Sequence, residues 1–197
     1  MDFINKKTSF AAVLPLLFCV STAAVADDIP APKDSVTVDG GVVHFTGQIV
    51  NAPCAVDNDS LGQTVELGQY KASKFTDAGQ TSEAKPFTIG LTDCSVDVYK
   101  KASITFSGPT DAGKNNILAL GMTDESNTNT VVAKGVGIQI LSSGKAVAVD
   151  GSTPAPAQNL QATGKNKLYF TAQYISTDKN VSAGLANANA DFTVTYQ

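Results

Sequence analysis

The chain has no arginine and no tryptophan, one histidine, three cysteines and no apolar run long enough to cross a bilayer. Each shortage excludes something. All 14 basic residues are lysine. Without forked guanidinium groups or clustered cations there is no footprint for phosphate, so nucleic acid is not expected as a partner. The single histidine, His44, sits in an extended stretch with no nucleophile elbow around it, and no phosphate-binding glycine loop occurs. Neither a catalytic site nor a small-molecule substrate is therefore expected. Zinc wants about four ligands and finds no pattern for them here. Asp57 and Asp59 lack the glycine and terminal glutamate of a calcium loop and read as solvated turn residues. No cofactor and no metal are expected.

Residues 1–26 have the shape of a secretory signal: Lys6 and Lys7, an apolar run from Phe10 to Val20, then Ala24-Val25-Ala26 as a cleavage site. That run is about 11 residues, against the roughly 20 that a membrane helix needs. Export removes Cys19 and leaves Cys54 and Cys94. In an exported chain two cysteines most simply form one disulfide, a two-cysteine metal site being the weaker alternative. Without residues 1–26 the balance is 12 lysines against 17 acids, about five net negative charges, which suits a soluble exported protein.

What the chain has in quantity is period-two alternation. Ser35–Val50 reads as strand throughout, with Val36, Val38, Gly40 and Val42 on one face and a Gly-Gly pair at 40 and 41 that breaks the run. Phe87, Ile89 and Leu91 alternate, as do residues 102–106, then Val136, Ile138 and Ile140 before a hairpin turn at 142–144. The stretches 168–175 and 191–197 follow the same rule. The Ala-rich stretch 183–190 is broken by glycine and asparagine and reads as loop. Six to eight short strands with turns between them and almost no helical period predict an all-β sandwich.

Several motifs stand in one order: the arm of alternating valines, G-G-V-V-H-F-T-G-Q-I-V-N-A-P-C-A-V at 40–56, L-T-D-C at 91–94, Gly184 as the fourteenth residue from the C-terminus, and A-N-A-D-F-T-V-T-Y-Q with its penultimate Tyr196. In this the chain resembles the type 1 fimbrial major pilins of the chaperone-usher pathway. The resemblance implies an incomplete immunoglobulin-like β-sandwich that lacks its final strand, completed by a donor strand from a neighbouring subunit. It implies a donor-strand extension at 27–43 carrying Val36, Val38, Gly40 and Val42, and a pilin domain at 44–197 whose first strand starts at His44 and Phe45. Gly40 would meet a shallow part of the acceptor groove. Cys54 and Cys94 would tie the first strand to the next.

Gly184, Phe192, Val194, Tyr196 and Gln197 would form the edge that pairs with a periplasmic chaperone, whose basic residues would anchor the Gln197 carboxylate. The implied partners are identical or related pilin subunits, the chaperone, an outer-membrane usher and a tip adaptor or adhesin. The implied route is through the periplasm to a cell-surface fimbrium that mediates adhesion. A minor adaptor subunit, or a secreted binding protein of the same fold, is the alternative.

Overall fold

A computed structural model describes residues 35–111, 113–121 and 131–197. The expected signal, 1–26, and the acidic, proline-containing lead, 27–34, lie outside the described residues. The chain divides into two units, residues 1–46 and 47–197.

In the larger unit alternation becomes strand wherever a neighbouring strand is available to take its backbone hydrogen bonds. The strands are β1 (Ala55–Val56), β2 (Lys85–Thr92), β3 (Lys101–Ser107), β4 (Thr110–Asp111), β5 (Lys114–Leu118), β6 (Val136–Ser142), β7 (Lys145–Ala146), β8 (Gln158–Asn159), β9 (Asn166–Ser176) and β10 (Asp191–Tyr196). They form two sheets. One runs β1-β2-β9-β6-β5-β4 with β7 added to β6, and the other runs β10-β3-β8. Among the described residues every ladder between these strands is antiparallel, and an isolated bridge, Val132 with Leu185, is parallel. Among the described residues helix is confined to two 3-10 turns, Asn58–Ser60 and Ala72–Lys74.

The register explains the core. Pairing of β2 with β9 sets Phe87 opposite Phe170 and Ile89 opposite Leu168, so the apolar faces of both strands point the same way. From the other sheet Phe106 meets Phe170 edge-on, ring centroids 5.1 Å apart at 88°, and Phe87 stacks on Phe170 at 5.6 Å. These three rings join the sheets as a sandwich, with Ile104, Leu91, Val149 and Leu168 buried around them. The Cys54–Cys94 disulfide forms as expected and links the residue before β1 to the turn just after β2. Closing a 40-residue separation is worth on the order of 4 kcal/mol in the chain-entropy account. Beside it Asn166, buried, donates to Cys94 Sγ and to the Gln161 carbonyl and accepts from the Gln161 amide at 2.7 Å, so its polar atoms are all used.

Two alternating stretches are not strands. Residues 35–50, expected as strand throughout, carry no ladder, and neither do residues 64–67. The pattern is right in both, but a strand exists only against a partner, and among the described residues these stretches have none.

Candidate functional site

Among the described residues β10 has one neighbour where a strand inside a sheet has two. On β3 its residues pair Phe192 with Phe106, Val194 with Ile104 and Tyr196 with Ala102. The three β3 residues are at most 3% exposed, whereas Phe192, Val194 and Tyr196 stay half-buried although they pack on the same core. Half of the β10 backbone groups therefore face outward, as on any sheet edge.

The opposite rim is residues 62–69. Among the described residues, none of the backbone groups of 62–70 is hydrogen-bonded to another backbone group. Between the rims lies a groove of about 590 Å³ floored by Phe87, Ile89, Phe106, Leu118, Ile138 and Ile140. Glu66 and Tyr174 are its only ionisable lining residues. Among the described residues no three His, Cys, Asp or Glu side chains come together as metal ligands. An apolar floor between the free edge of a strand and a segment without backbone pairing can take in an extended chain that pairs with the rims and buries alternate side chains.

The C-terminal end of β10 is pinned. Tyr196 donates its hydroxyl to the Cys54 carbonyl at 3.1 Å, and burial pushes its pKa up, which keeps it a donor. The Gln197 carbonyl oxygen accepts the amides of Lys100 and Lys101 at 2.8 and 2.9 Å. The disulfide, the penultimate tyrosine and the terminus thus act together on one end of β10.

At the other end Gly184 has a packing role. A Cβ there would stand 2.5 Å from the Ala133 amide nitrogen and 2.6 Å from the Val131 carbonyl oxygen. The two segments cross that closely because the Leu185 amide donates to Val131 and the Ala133 amide to Leu185. Gly184 lines a second apolar cavity of about 390 Å³, with Phe75, Ala133, Val136 and Leu185, and this cavity shares Gly68, Gln69, Tyr174, Ala186 and Asn187 with the larger groove.

The arm residues expected to be donors are placed as follows. Val36, Val38 and Val42 are 78 to 87% exposed, and nothing lies within 4 Å of where a Gly40 Cβ would be. Gly41 takes φ +101°, which interrupts extended backbone between Gly40 and Val42. A second alternating run follows, Val43, Phe45, Gly47 and Ile49, in which Phe45 and Ile49 are over 90% exposed. His44 is exposed, and sheet pairing of the larger unit begins at Ala55, later than the start at His44 and Phe45 that the sequence suggested. Sequence reasoning singled out neither the 62–69 rim nor Tyr174; the only signal at the rim was the brief alternation of 64–67.

Comparison with known proteins points one way. The family model described as "Fimbrial protein" matches residues 43–197. The chain is 40% identical over 195 residues to the fimbrial subunit type 1 of Salmonella typhimurium, covering 98% of this chain and 100% of that one. It is 42% identical over 193 residues to the type-1 fimbrial protein, A chain, of Escherichia coli strain K12, covering 97% and 98%. Among solved structures it is similar to the P pilus rod subunit PapA, with TM-score 0.58 and 27% identity, covering 74% of this chain and 100% of that chain. A chaperone-usher pilus structure aligns with TM-score 0.62 and 28% identity, covering 83% and 99%.

Proposed function

This chain belongs to the fimbrial protein family and is a structural subunit of a chaperone-usher pilus at the cell surface; from that premise we propose how one copy is joined to the next. The arm upstream of Cys54 enters the open groove of a neighbouring copy, pairs with β10 on one side and residues 62–69 on the other, and completes the sandwich. The observation that carries this reading is the match of two deficits. The groove has an apolar floor and unpaired rims, and residues 35–50 have alternating apolar side chains, exposed, with no ladder.

Burying three apolar side chains at roughly 1.5 to 3 kcal/mol each gives about 4 to 9 kcal/mol before ordering costs and backbone pairing. Two runs in the arm have the required alternation: Val36, Val38, Gly40 and Val42, as expected from the sequence, and Val43, Phe45, Gly47 and Ile49. Both are exposed and both contain a glycine.

Before assembly the same groove must be covered, since an open apolar edge aggregates. A periplasmic chaperone is the occupant that fits. Its strand would add to the free edge formed by Phe192, Val194 and Tyr196, with Gly184 at one end and the Gln197 carboxylate beside a cationic residue at the other. An outer-membrane usher would then exchange chaperone for arm, and a tip adaptor or adhesin would head the fibre.

Deleting residues 27–50 tests the exchange. After release from the chaperone, the full chain is expected to elongate into fibres on size-exclusion chromatography, and the truncated chain to stay monomeric or aggregate. Fibres from the truncated chain, or stable folded monomers from both, would contradict it.

A further inference from the structure

Two steps in the sequence join aspartate to glycine, Asp39–Gly40 and Asp150–Gly151, and no asparagine is followed by glycine. At an Asp-Gly step the backbone reacts readily with its own side chain. Glycine leaves the amide nitrogen uncrowded and lets the chain turn toward the carboxyl group. The nitrogen and Cγ must still meet in a productive geometry, so the reaction depends on how the two groups are held.

The two steps are held very differently. At Asp150 both reacting groups are tied. The Gly151 amide donates to the Phe106 carbonyl at 2.9 Å, and Asp150 forms a β-bridge with Ser107. The Ser152 amide and hydroxyl donate to Asp150 Oδ1 at 3.0 and 2.6 Å and hold that carboxyl below the ordinary carboxylate range. It stays charged, the form that does not give up an oxygen. Asp39 is exposed in a stretch with no ladder, and among the described residues the Gly40 amide meets no backbone acceptor. Nothing lies within 4 Å of where a Gly40 Cβ would be, and Gly41, at φ +101°, adds the freedom of a second glycine.

We propose that Asp39 turns spontaneously into isoaspartate in the unassembled subunit, that Asp150 does not, and that the altered arm no longer serves as a donor. The Gly40 nitrogen attacks Cγ of Asp39 and forms a C–N bond. The amide proton, one carboxyl oxygen and a proton taken from solvent leave as water. Water then opens the cyclic imide. Cleavage of the new bond restores aspartate, and cleavage of the original peptide bond leaves the chain running through Cβ and Cγ. No enzyme or oxidant is required.

The product has an extra methylene in its main chain, between Val36 and Val38 on one side and residues 42–50 on the other. Side chains alternate strictly along a strand, so the insertion throws the two sides out of phase. Loss of donor function rests on the strand-addition reading above; the reaction at Asp39 does not.

The test ages the full chain in its chaperone complex at neutral pH and physiological temperature. After reduction, cleavage at lysine puts Asp39 on peptide 34–71 and Asp150 on peptide 146–165. Isoaspartate is counted by isoaspartyl methyltransferase labelling and located by fragment mass spectra. It is expected to accumulate at Asp39 at least about tenfold faster than at Asp150. Asp39→Glu is expected to abolish the signal at that position. Equal rates at the two steps, or a faster rate at Asp150, would overturn the assignment.

Fresh and aged samples of each chain are then released from the chaperone and their elongation is measured. The aged native chain is expected to lose elongation in proportion to the fraction converted, and aged Asp39→Glu to match its own fresh sample. Converted chains that elongate at the fresh rate, or an equal loss on ageing in Asp39→Glu, would overturn the effect on the arm. Elongation by a chain without residues 27–50 would instead overturn the reading beneath it, and the peptide comparison would stand or fall on its own.

Discussion

The closed interior of the sandwich and its open side are built from the same residue types and differ in what surrounds them. Phe106 and Phe170 have sheet neighbours and a facing sheet and are 3% exposed; Phe192 and Val194 point at the same core from a strand with one neighbour and remain half-buried. Apolar alternation therefore marks a strand that belongs in a core without saying whose chain completes it. The interior is satisfied within one copy. The open side supplies half of an interior and leaves the remaining burial and pairing to another chain, which is how a fold too incomplete to be comfortable alone can serve as a joint.

The sharpest way to separate the two regions is truncation on each side of the boundary. Phe170→Ala is expected to cost about 3 to 5 kcal/mol in denaturant unfolding of the chaperone-free monomer, because it empties a packed site. Val194→Ala should cost only about 1 kcal/mol in the monomer, since part of that side chain is already in water, and more once fibres enclose it. Equal costs in the monomer would break the comparison.

Next in size, Cys54→Ser removes a bridge worth on the order of 4 kcal/mol and frees the segment before β1 whose carbonyl holds Tyr196. The expected outcome is a clear fall in soluble periplasmic subunit on immunoblots, and an unchanged yield would mean that the open side stands without it. Gly184→Ala pushes a methyl group into the Val131–Ala133 backbone, at an expected cost of about 1 to 3 kcal/mol by thermal unfolding. A neutral result would show that the rim gives way easily and that Gly184 matters for another reason.

The smallest expected effect is electrostatic. Lys165 donates to Asp57 at 2.8 Å and holds its carboxyl below the ordinary carboxylate range. A carboxylate with a lowered folded pKa contributes stability that is present above its unfolded value and is lost as pH falls toward the folded one. The melting temperature should therefore drop slightly further on acidification in the native chain than in Asp57→Asn, and identical pH profiles would remove this pair from the account.

Much of the fold was legible. β2, β3, the β6–β7 hairpin, β9 and β10 were each readable because a half-buried strand must alternate, and the two cysteines of an exported chain pointed to their bridge. β4 and β8 were not, since two residues make no period and those ladders depend on distant partners. At the site, Phe192, Val194 and Tyr196 announced an alternating C-terminal face, and Gly184 stood out by its position. The floor was illegible because Phe87, Phe106 and Ile138 come from three strands of two sheets, and in sequence each looks like any core residue. Tyr174 was hidden for the same reason, in an alternating aromatic strand where nothing marks a hydroxyl that reaches Ala186. The strand expected over 35–50 teaches the reverse: its alternation is there, but among the described residues nothing pairs with it.

The most direct measurement of that claim is amide hydrogen exchange, residue by residue, in the full chain before and after it assembles. The account predicts fast exchange in residues 62–70 and 42–50 of the free subunit and strong protection of both in the fibre, as each becomes the other's ladder partner across two copies. Residues 62–70 that exchange as fast in the fibre as in the free subunit would contradict it.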